Sequence, residues 1–173
     1  RKTFPASFSS GSAVEAGKVF LWPVDFSLEG YKTVLKTDEV YLGFRNSLFY
    51  TVVGTTINII VTMLAAYVMS RRDLPGRNGF MLFFAFTMFF GGGMIPGYLL
   101  IQKLGMLNTP WALLLPGALG VYNMIIARTF IQSNIPQELL EVSQLDGCSD
   151  FRYFISVVLP LSGTVIAVLV LFY

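Results

Sequence analysis

The chain has 173 residues, of which 54% are hydrophobic and only 13% are charged, and its mean hydropathy is +0.65. This composition excludes an ordinary soluble domain, and the net charge of +2 is too small to indicate nucleic-acid binding. Histidine is absent, which removes the commonest general base and metal ligand, and a single cysteine excludes both an internal disulfide and a multi-cysteine metal site. We predict an all-α integral membrane protein with no catalytic residues and no metal site.

Residues 1–45 contain no stretch that is long and apolar enough to cross a membrane. Their mixed charges and the aromatic-flanked run Leu21-Trp22-Pro23 indicate an ordered but exposed segment. Ser27 is a candidate cap for a short helix over residues 31–35. We predict an extracytoplasmic segment over residues 1–45, before the first span.

Four stretches without charged residues follow, and each is 21 to 25 residues long. A helix of about 20 residues crosses a hydrocarbon core of about 30 Å, so each stretch is long enough to span a membrane. The alternative, a soluble bundle, would need four buried helices with almost no charged face. We therefore predict four transmembrane helices, at 46–70, 79–102, 104–127 and 153–173.

The first predicted span carries polar side chains at spacings of four, four, three and four, which places them on one helical face. These residues are Ser47, Thr51, Thr55, Asn58 and Thr62. A polar face on a membrane helix either packs against neighbouring helices or lines a polar pathway. Both interpretations stay open for this stripe.

The second and third predicted spans contain helix-breaking residues. Gly91-Gly92-Gly93 and then Pro96 predict an interrupted second span, because glycine weakens a helix and proline removes a hydrogen bond. Such a break can flank a transport site, or it can mark a kink or a close crossing through Gly93 and Gly97. Pro116-Gly117 predicts a bend in the third span. Three residues are our candidates for a substrate pathway: Asn58, Gly92 and Asn123.

The stretch 135–160 is polar at its start and joins the last two spans. Pro136 suits the first turn of a short helix, with Ser133 or Asn134 as its cap. Gly147 supplies a stop, because glycine readily adopts the left-handed conformation that ends helices. Two glutamates three residues apart share one face of this helix: Glu138 and Glu141.

The pattern Glu141-x-x-x-x-Asp146-Gly147, followed by Phe154 and Leu159-Pro160, resembles the EAA motif of ABC importer permeases. The two alanines usual in that motif are replaced by Val142 and Ser143. Further segments are similar to the carbohydrate branch of the family, and most of all to its multi-sugar and polysaccharide permeases. These segments are Leu21-Trp22-Pro23, Asn46-Ser47-Leu48, Ile95-Pro96-x-Tyr98-Leu99, Leu107-Asn108-Thr109 and Leu159-Pro160-Leu161.

This resemblance implies a type I ABC importer transmembrane domain, a MetI-like helical bundle, over residues 46–173. The chain is then expected to be a fragment that holds about four of six membrane helices, the second to the fifth. A cytoplasmic coupling helix is implied at 134–147, and the loops that follow residues 71 and 128 are then cytoplasmic. The residues implied in ATPase coupling are Glu138, Leu139, Glu141, Asp146, Gly147 and Pro160.

The resemblance also implies the partners of the chain. They are a second homologous permease subunit, two cytoplasmic ABC ATPase subunits, an extracytoplasmic solute-binding protein and the lipid of a bacterial cytoplasmic membrane. The chain itself binds no cofactor in this scheme, and ATP and Mg are used by the partner ATPase. In agreement, the sequence contains no G-x-x-x-x-G-K-[ST] phosphate-binding loop. The implied function is ATP-driven import of sugars or oligosaccharides that the binding protein delivers.

Three alternatives differ in class. An ABC permease for a different solute would share every feature above. An ion-coupled secondary transporter would be expected to place charged residues inside its spans, and the four predicted spans have none. A membrane-embedded enzyme would need a catalytic pair such as Asp146 and Asp150, but both are expected in a loop, without a histidine or a second nucleophile to support them.

Overall fold

The elements of the computed structural model are all helical, and the residues that it describes are 7–9, 11, 14, 22 and 27–173. Part of the predicted exposed segment, including Leu21 and Pro23, lies outside the described residues. The chain divides into two compact units, residues 1–49 and residues 50–173.

In the first unit, helix α1 (Glu29–Lys36) confirms the predicted short helix. The residue at its N-cap position is Leu28, so the prediction that Ser27 caps the helix is wrong. The Tyr31 hydroxyl donates a hydrogen bond to Ser7 Oγ at 3.0 Å, and its ring lies 5.3 Å from that of Phe8. These contacts join α1 to the start of the chain.

Helix α2 (Asp38–Ser70) continues for 33 residues without a break. Two carboxylates in its first turn, Asp38 and Glu39, face the positive end of the helix dipole. Among the described residues it is the one uninterrupted helix that is long and apolar enough to cross a membrane. It contains the whole first predicted span.

The second and fourth predicted spans are each divided into two helices that meet at a sharp angle. Helices α3 (Arg77–Phe89) and α4 (Met94–Lys103) meet at 114°, and the last two helices of the chain meet at 78°. The first break confirms the predicted interruption, because Gly93 has a φ of 83° that other residues rarely adopt. A methyl group on Gly97 would meet nothing within 4 Å, so no helix among the described residues crosses close to Gly97.

The third predicted span is not a single helix. It consists of α5 (Trp111–Leu114) and α6 (Val121–Asn134), with a non-helical segment at 115–120 that contains Pro116-Gly117. The prediction of a bend is confirmed, but the interruption is complete. The described residues therefore offer one continuous spanning helix, or up to three spans if each bent pair counts as one, and not the four predicted.

The polar connection after α6 contains α7 (Gln137–Leu145) and leads into α8 (Asp150–Leu161). The middle of α8, Phe154–Val158, is a π-helix, and the Leu159 N–H donates to the Phe154 carbonyl. Pro160 has no N–H and its ring crowds an α-helical turn, so a wider turn relieves the strain before it. The bend itself follows at Ser162, before α9 (Gly163–Phe172).

The core of the second unit lies between α2, α6, α8 and α9. Its most deeply buried side chains come from all four helices and have at most 1% of their surface exposed. Between membrane helices such packing is favoured mainly by van der Waals contact, because lipid tails are as apolar as these side chains. These residues are Met63, Ala66, Met124, Ala127, Val158 and Leu169.

Candidate functional site

Helix α7 lies within the predicted coupling segment 134–147 but begins later than predicted. Its N-cap position is Pro136, so the prediction of Ser133 or Asn134 as cap is wrong. These two side chains instead donate to carbonyls of their own helix α6, Ser133 Oγ to Thr129 at 2.9 Å and Asn134 Nδ2 to Phe130 at 3.0 Å. The preceding helix therefore extends to Asn134, and α7 starts after a short extended link.

The end of α7 is set by Gly147, which has a φ of 73°. The Gly147 N–H donates to the Gln144 carbonyl, and the Cys148 N–H donates to the Ser143 carbonyl. This pair of bonds forms a Schellman motif, in which a left-handed residue satisfies the last carbonyls of a helix. The helix stop predicted at Gly147 is therefore confirmed.

The outer face of α7 is apolar and exposed. Leu139, Val142 and Leu145 follow one another at spacings of three and have 42%, 56% and 88% of their surface exposed. Leu140 instead packs against the core, so α7 lies on the second unit by one side only. An amphipathic helix with its second apolar face uncovered has the form of a docking element.

A polar cavity of about 1020 Å³ separates α7 from the end of α2. The connection between α2 and α3 contributes two arginines to its lining, the first residue of α3 is a third, and α7 contributes two of the predicted coupling residues together with the amide of Gln144. These residues are Arg71, Arg72, Arg77, Glu138, Glu141 and Gln144. The arginines therefore face the two glutamates across the cavity, and Asp73 lies on the side of the arginines.

Arg71 is the centre of an ion-pair network at this cavity. Its guanidinium lies 2.6 Å from Asp73 and 2.7 Å from Asp150, and it donates to the Tyr67 hydroxyl at 3.0 Å. The hydrogen bond to Asp73 raises the pKa of Arg71, and the same bond lowers the pKa of Asp73 below its usual 3.8. Because the pKa of Asp73 is lowered, its pair stabilises the fold above pH 3.8 and is lost as the pH falls further.

The last carbonyls of α2 accept hydrogen bonds from side chains of other helices. Arg128 Nε donates to the Met69 carbonyl at 3.0 Å, and Gln132 Nε2 donates to the Ser70 carbonyl at 3.1 Å. Burial lowers the pKa of Arg128, and the nearby charge of Arg77 lowers it further. The final carbonyls of a helix have no partner within the helix, so these donors satisfy groups that would otherwise need water.

Sequence reasoning did not identify these contacts with the end of α2. In the sequence analysis residue 71 marks only the start of a loop, and Asp150 appears only as a candidate catalytic carboxylate. The available signal was the spacing of Arg128 and Gln132, which are four residues apart and so share one face directly after an apolar stretch.

Two of the three candidate pathway residues, Asn58 and Asn123, lie in the apolar helices α2 and α6. Asn58 Oδ1 is buried without a hydrogen-bond partner among the described residues, and Asn123 is half-buried beside Gly120. The Tyr173 hydroxyl lies 2.7 Å from Thr62 Oγ1 and accepts the Gly120 N–H at 3.0 Å. It thus links the helix of Asn58 to the turn before Asn123.

The third pathway candidate is placed differently. Gly92 is exposed in the break between α3 and α4, and a methyl group there would meet no atom within 4 Å. The Tyr173 hydroxyl therefore contacts the helix that carries Asn58 and the residue three positions before Asn123, whereas Gly92 lies in open space.

Replacing Tyr173 with phenylalanine is expected to lower the free energy of unfolding by about 0.5–1.5 kcal/mol, because the half-buried Gly120 N–H loses its acceptor. Thermal denaturation of the full-length protein in detergent measures this loss. The matched control is Tyr122→Phe, which removes a hydroxyl from a side chain that is 60% exposed. Equal melting temperatures for the two variants would show that the Tyr173 hydroxyl contributes no stability.

Residues 40–173 match the model of the family described as binding-protein-dependent transport system inner membrane component, and the chain belongs to this family. The chain is 45% identical over 168 residues to the polygalacturonan/rhamnogalacturonan transport system permease protein YtcP of Bacillus subtilis (strain 168), covering 97% of this chain and 58% of that protein. It is 41% identical over 167 residues to the protein LplC of the same organism, covering 96% of this chain and 56% of that one. The chain therefore spans somewhat more than half the length of these relatives.

A solved structure is also similar over nearly the whole chain. A bacterial ABC transporter involved in the import of the acidic polysaccharide alginate matches 99% of this chain and 61% of its own chain, with a TM-score of 0.90 and 34% identity. The predicted resemblance to ABC importer permeases of the carbohydrate branch is confirmed, as is the MetI-like helical fold. The relative YtcP is named as a transport system permease protein, in agreement with the prediction that the chain is not an enzyme.

Proposed function

We propose that this chain is the membrane-spanning part of a permease subunit in an ATP-driven importer of sugars or oligosaccharides, with α7 as the helix that docks on a cytoplasmic ATPase. The observation that carries the proposal is the uncovered outer face of α7 in a member of a binding-protein-dependent transport family. Family membership supports the assignment as a transport permease, and the exposed apolar face of α7 supports the contact with the ATPase.

The geometry of α7 suits a helix that seats in a cleft. Leu139, Val142 and Leu145 form an apolar ridge, while the glutamates Glu138 and Glu141 lie beside it at the edge of the polar cavity. An apolar ridge with a charged margin buries well and fixes orientation, as peptide helices do in protein grooves. In this proposal Asp146, Gly147 and Pro160 shape the segment rather than contact the partner.

The proposed partners follow from the family description. A binding-protein-dependent system needs an extracytoplasmic solute-binding protein, and an ABC importer needs two ATPase subunits, which use ATP and Mg, and a second permease subunit. In this arrangement the protein lies in a bacterial cytoplasmic membrane, residues 1–45 precede the first span on the outer side, and α7 faces the cytoplasm.

The named relatives narrow the first substrates to test. One relative is named for polygalacturonan and rhamnogalacturonan and the solved structure for alginate, so oligosaccharides of uronic acids are the leading class for this chain. Asn58 and Asn123 are the proposed contacts with sugar hydroxyls, and the Gly92 break is the proposed flexible wall of the pathway. The unpartnered oxygen of Asn58 supports this assignment, because a buried acceptor without a partner is costly unless a ligand or water satisfies it.

The driving force can be tested with the full-length permease, its partner permease, the ATPase and the binding protein in liposomes. We expect uptake of a labelled oligogalacturonide that requires ATP on the ATPase side and survives collapse of ion gradients. Uptake that follows an ion gradient and ignores ATP would instead favour a secondary transporter. ATP-driven uptake of another solute, with none of the uronate, would leave the permease class intact and change its substrate.

Replacing Leu145 with aspartate is expected to reduce ATPase association at least tenfold, because a charge would have to be desolvated in the docking cleft. Co-purification of the ATPase with the permease measures this loss. Ser149→Asp introduces the same charge four residues away, at an N-cap position that aspartate also suits, and should leave association unchanged. Full ATPase recovery with the Leu145 variant would exclude the apolar ridge as the docking surface.

A further inference from the structure

The coupling helix α7 is flanked on both sides by residues that hold the end of α2. On the side before α7, Arg128 and Gln132 of helix α6 donate to the carbonyls of Met69 and Ser70. Because these donors are four residues apart, they lie on one face of α6 and contact successive carbonyls of α2. The positive charge at the C-terminal end of α2 is also favoured by the helix dipole.

On the side after α7, the link runs through Asp150, the first residue of helix α8. Its carboxylate lies 2.7 Å from the guanidinium of Arg71, and its backbone carbonyl accepts a hydrogen bond from the Tyr67 hydroxyl at 3.4 Å. The Arg71 side chain is only 13% exposed, whereas the Asp150 side chain is 64% exposed, so the arginine is held in place and the carboxylate meets it from the solvent side. Arg71 follows Ser70 directly, and both links therefore reach the same end of α2.

The chain between the links and α7 is short. Four residues lie between Gln132 and Gln137, and four lie between Leu145 and Asp150. Within the first of these connections Ile135 is buried in the core, and the second contains the Schellman motif that fixes its path. These short connections leave α7 little freedom to move independently of the residues that bind the end of α2.

We propose that α2 receives the motion of the coupling helix, through two links that make α7 and the end of α2 move as one body. Arg71 with Asp150 is the first link, and Arg128 with Gln132 on the α2 carbonyls is the second. These four are positioning residues and contact no substrate. The inference rests on the proposed function, in which the ATPase moves α7, and it names the helix that carries the motion to Asn58 and Thr62.

Asp73 provides a matched control for Asp150. Both carboxylates bind Arg71, at 2.6 Å and 2.7 Å, and both side chains are 64% exposed. Asp73, however, lies two residues from Arg71 in the same connection, whereas Asp150 belongs to the segment beyond α7. Replacing either aspartate with asparagine removes one negative charge that pairs with Arg71. Only Asp150→Asn, however, breaks a contact between the α2–α3 connection and the segment beyond α7.

The test is a distance measurement between spin labels at Gln144→Cys on α7 and Ile60→Cys on α2, in the complete transporter with Cys148→Ser. We expect a narrow distribution that keeps its mean when a non-hydrolysable ATP analogue is added. Asp150→Asn should at least double the width of this distribution, and Asp73→Asn should leave the width unchanged. Asp150→Glu, which keeps the carboxylate, should give a distribution as narrow as that of the wild type. Gln132→Leu should also broaden it, whereas Gln102→Leu, on the distant α4, should not.

Transport measured in parallel separates this inference from the proposed function. We expect Asp150→Asn to lower the sugar imported per ATP hydrolysed about tenfold, with Asp73→Asn near the wild-type ratio. Equal widths for Asp150→Asn and Asp73→Asn, or a wild-type distance that changes with the analogue, would overturn the inference even if uptake is ATP-driven. Narrow, link-dependent distances in a protein that shows no ATP-driven uptake would overturn the proposed function and leave the physical link established.

Discussion

Replacing Gly147 with valine is expected to abolish coupled sugar uptake while leaving the protein in the membrane. Gly147 has a φ of 73°, and a β-branched residue in that conformation costs about 1–3 kcal/mol. A cost of 1.4 kcal/mol is roughly tenfold in population, so the Schellman end of α7 would be largely lost. Leu145 on the docking ridge and Asp150 beyond it would then lose their positions together.

The surroundings of Gly147 separate this effect from misfolding. A methyl group at Gly147 would meet no atom within 4 Å, so there is room for a Cβ at this position and the expected strain comes from the backbone conformation. Asparagine tolerates the left-handed conformation better than other residues, and Gly147→Asn should retain most of the uptake. ATP-driven uptake and ATP hydrolysis are measured for both variants after their amounts in the membrane are matched. Equal uptake by the valine and asparagine variants would show that the backbone conformation at Gly147 does not matter for coupling.

Replacing Arg128 with methionine is expected to lower the free energy of unfolding by about 1.5–3 kcal/mol. Methionine keeps much of the length of the side chain but removes the Nε donor to the Met69 carbonyl, and hydrogen bonds that involve a charged group are the stronger ones. It also removes a positive charge from the C-terminal end of α2. Among the described residues no carboxylate forms an ion pair with Arg128, so the carbonyl contact and the dipole account for its place.

Arg152 offers a control for Arg128, because it is an exposed arginine near the start of α8 whose side chain has no hydrogen bond or ion pair among the described contacts. Thermal denaturation in detergent should show a clear drop for Arg128→Met and almost none for Arg152→Met. A similar drop for both variants would mean that the loss of charge, and not the contact with the Met69 carbonyl, sets the stability.

The features that the sequence predicted well depend on local conformational chemistry. Gly93, Gly147 and the Pro116-Gly117 pair each mark a break or a stop in the structure, because glycine and proline act on the backbone at their own position. The predicted number of spans was less accurate, because it rested on composition and did not count the local effect of proline and glycine. Composition alone made 104–127 a continuous span, whereas its proline and glycine divide it completely.

The predictions that failed depend on contacts that a one-dimensional pattern does not contain. Ser133 and Asn134 suit a helix cap by type, but their side chains bind carbonyls one turn back and extend α6 instead. The hydrogen bond from Arg128 to Met69 joins residues that are 59 positions apart. Its acceptor is a backbone carbonyl, which every residue has, so the type of side chain at position 69 does not indicate it. Contacts of this kind have to be read from the folded chain.

Photo-crosslinking from α7 tests most directly whether this helix is the contact with an ATPase. A photoreactive amino acid at Leu145, in the full-length protein in its native membrane, is predicted to form an adduct with the cytoplasmic ATPase subunit. The same amino acid at Leu171 on α9, which is equally exposed at 87% against 88%, should form none. Absence of an ATPase adduct at Leu145, or equal adducts at both positions, would contradict the assignment of α7 as the coupling helix.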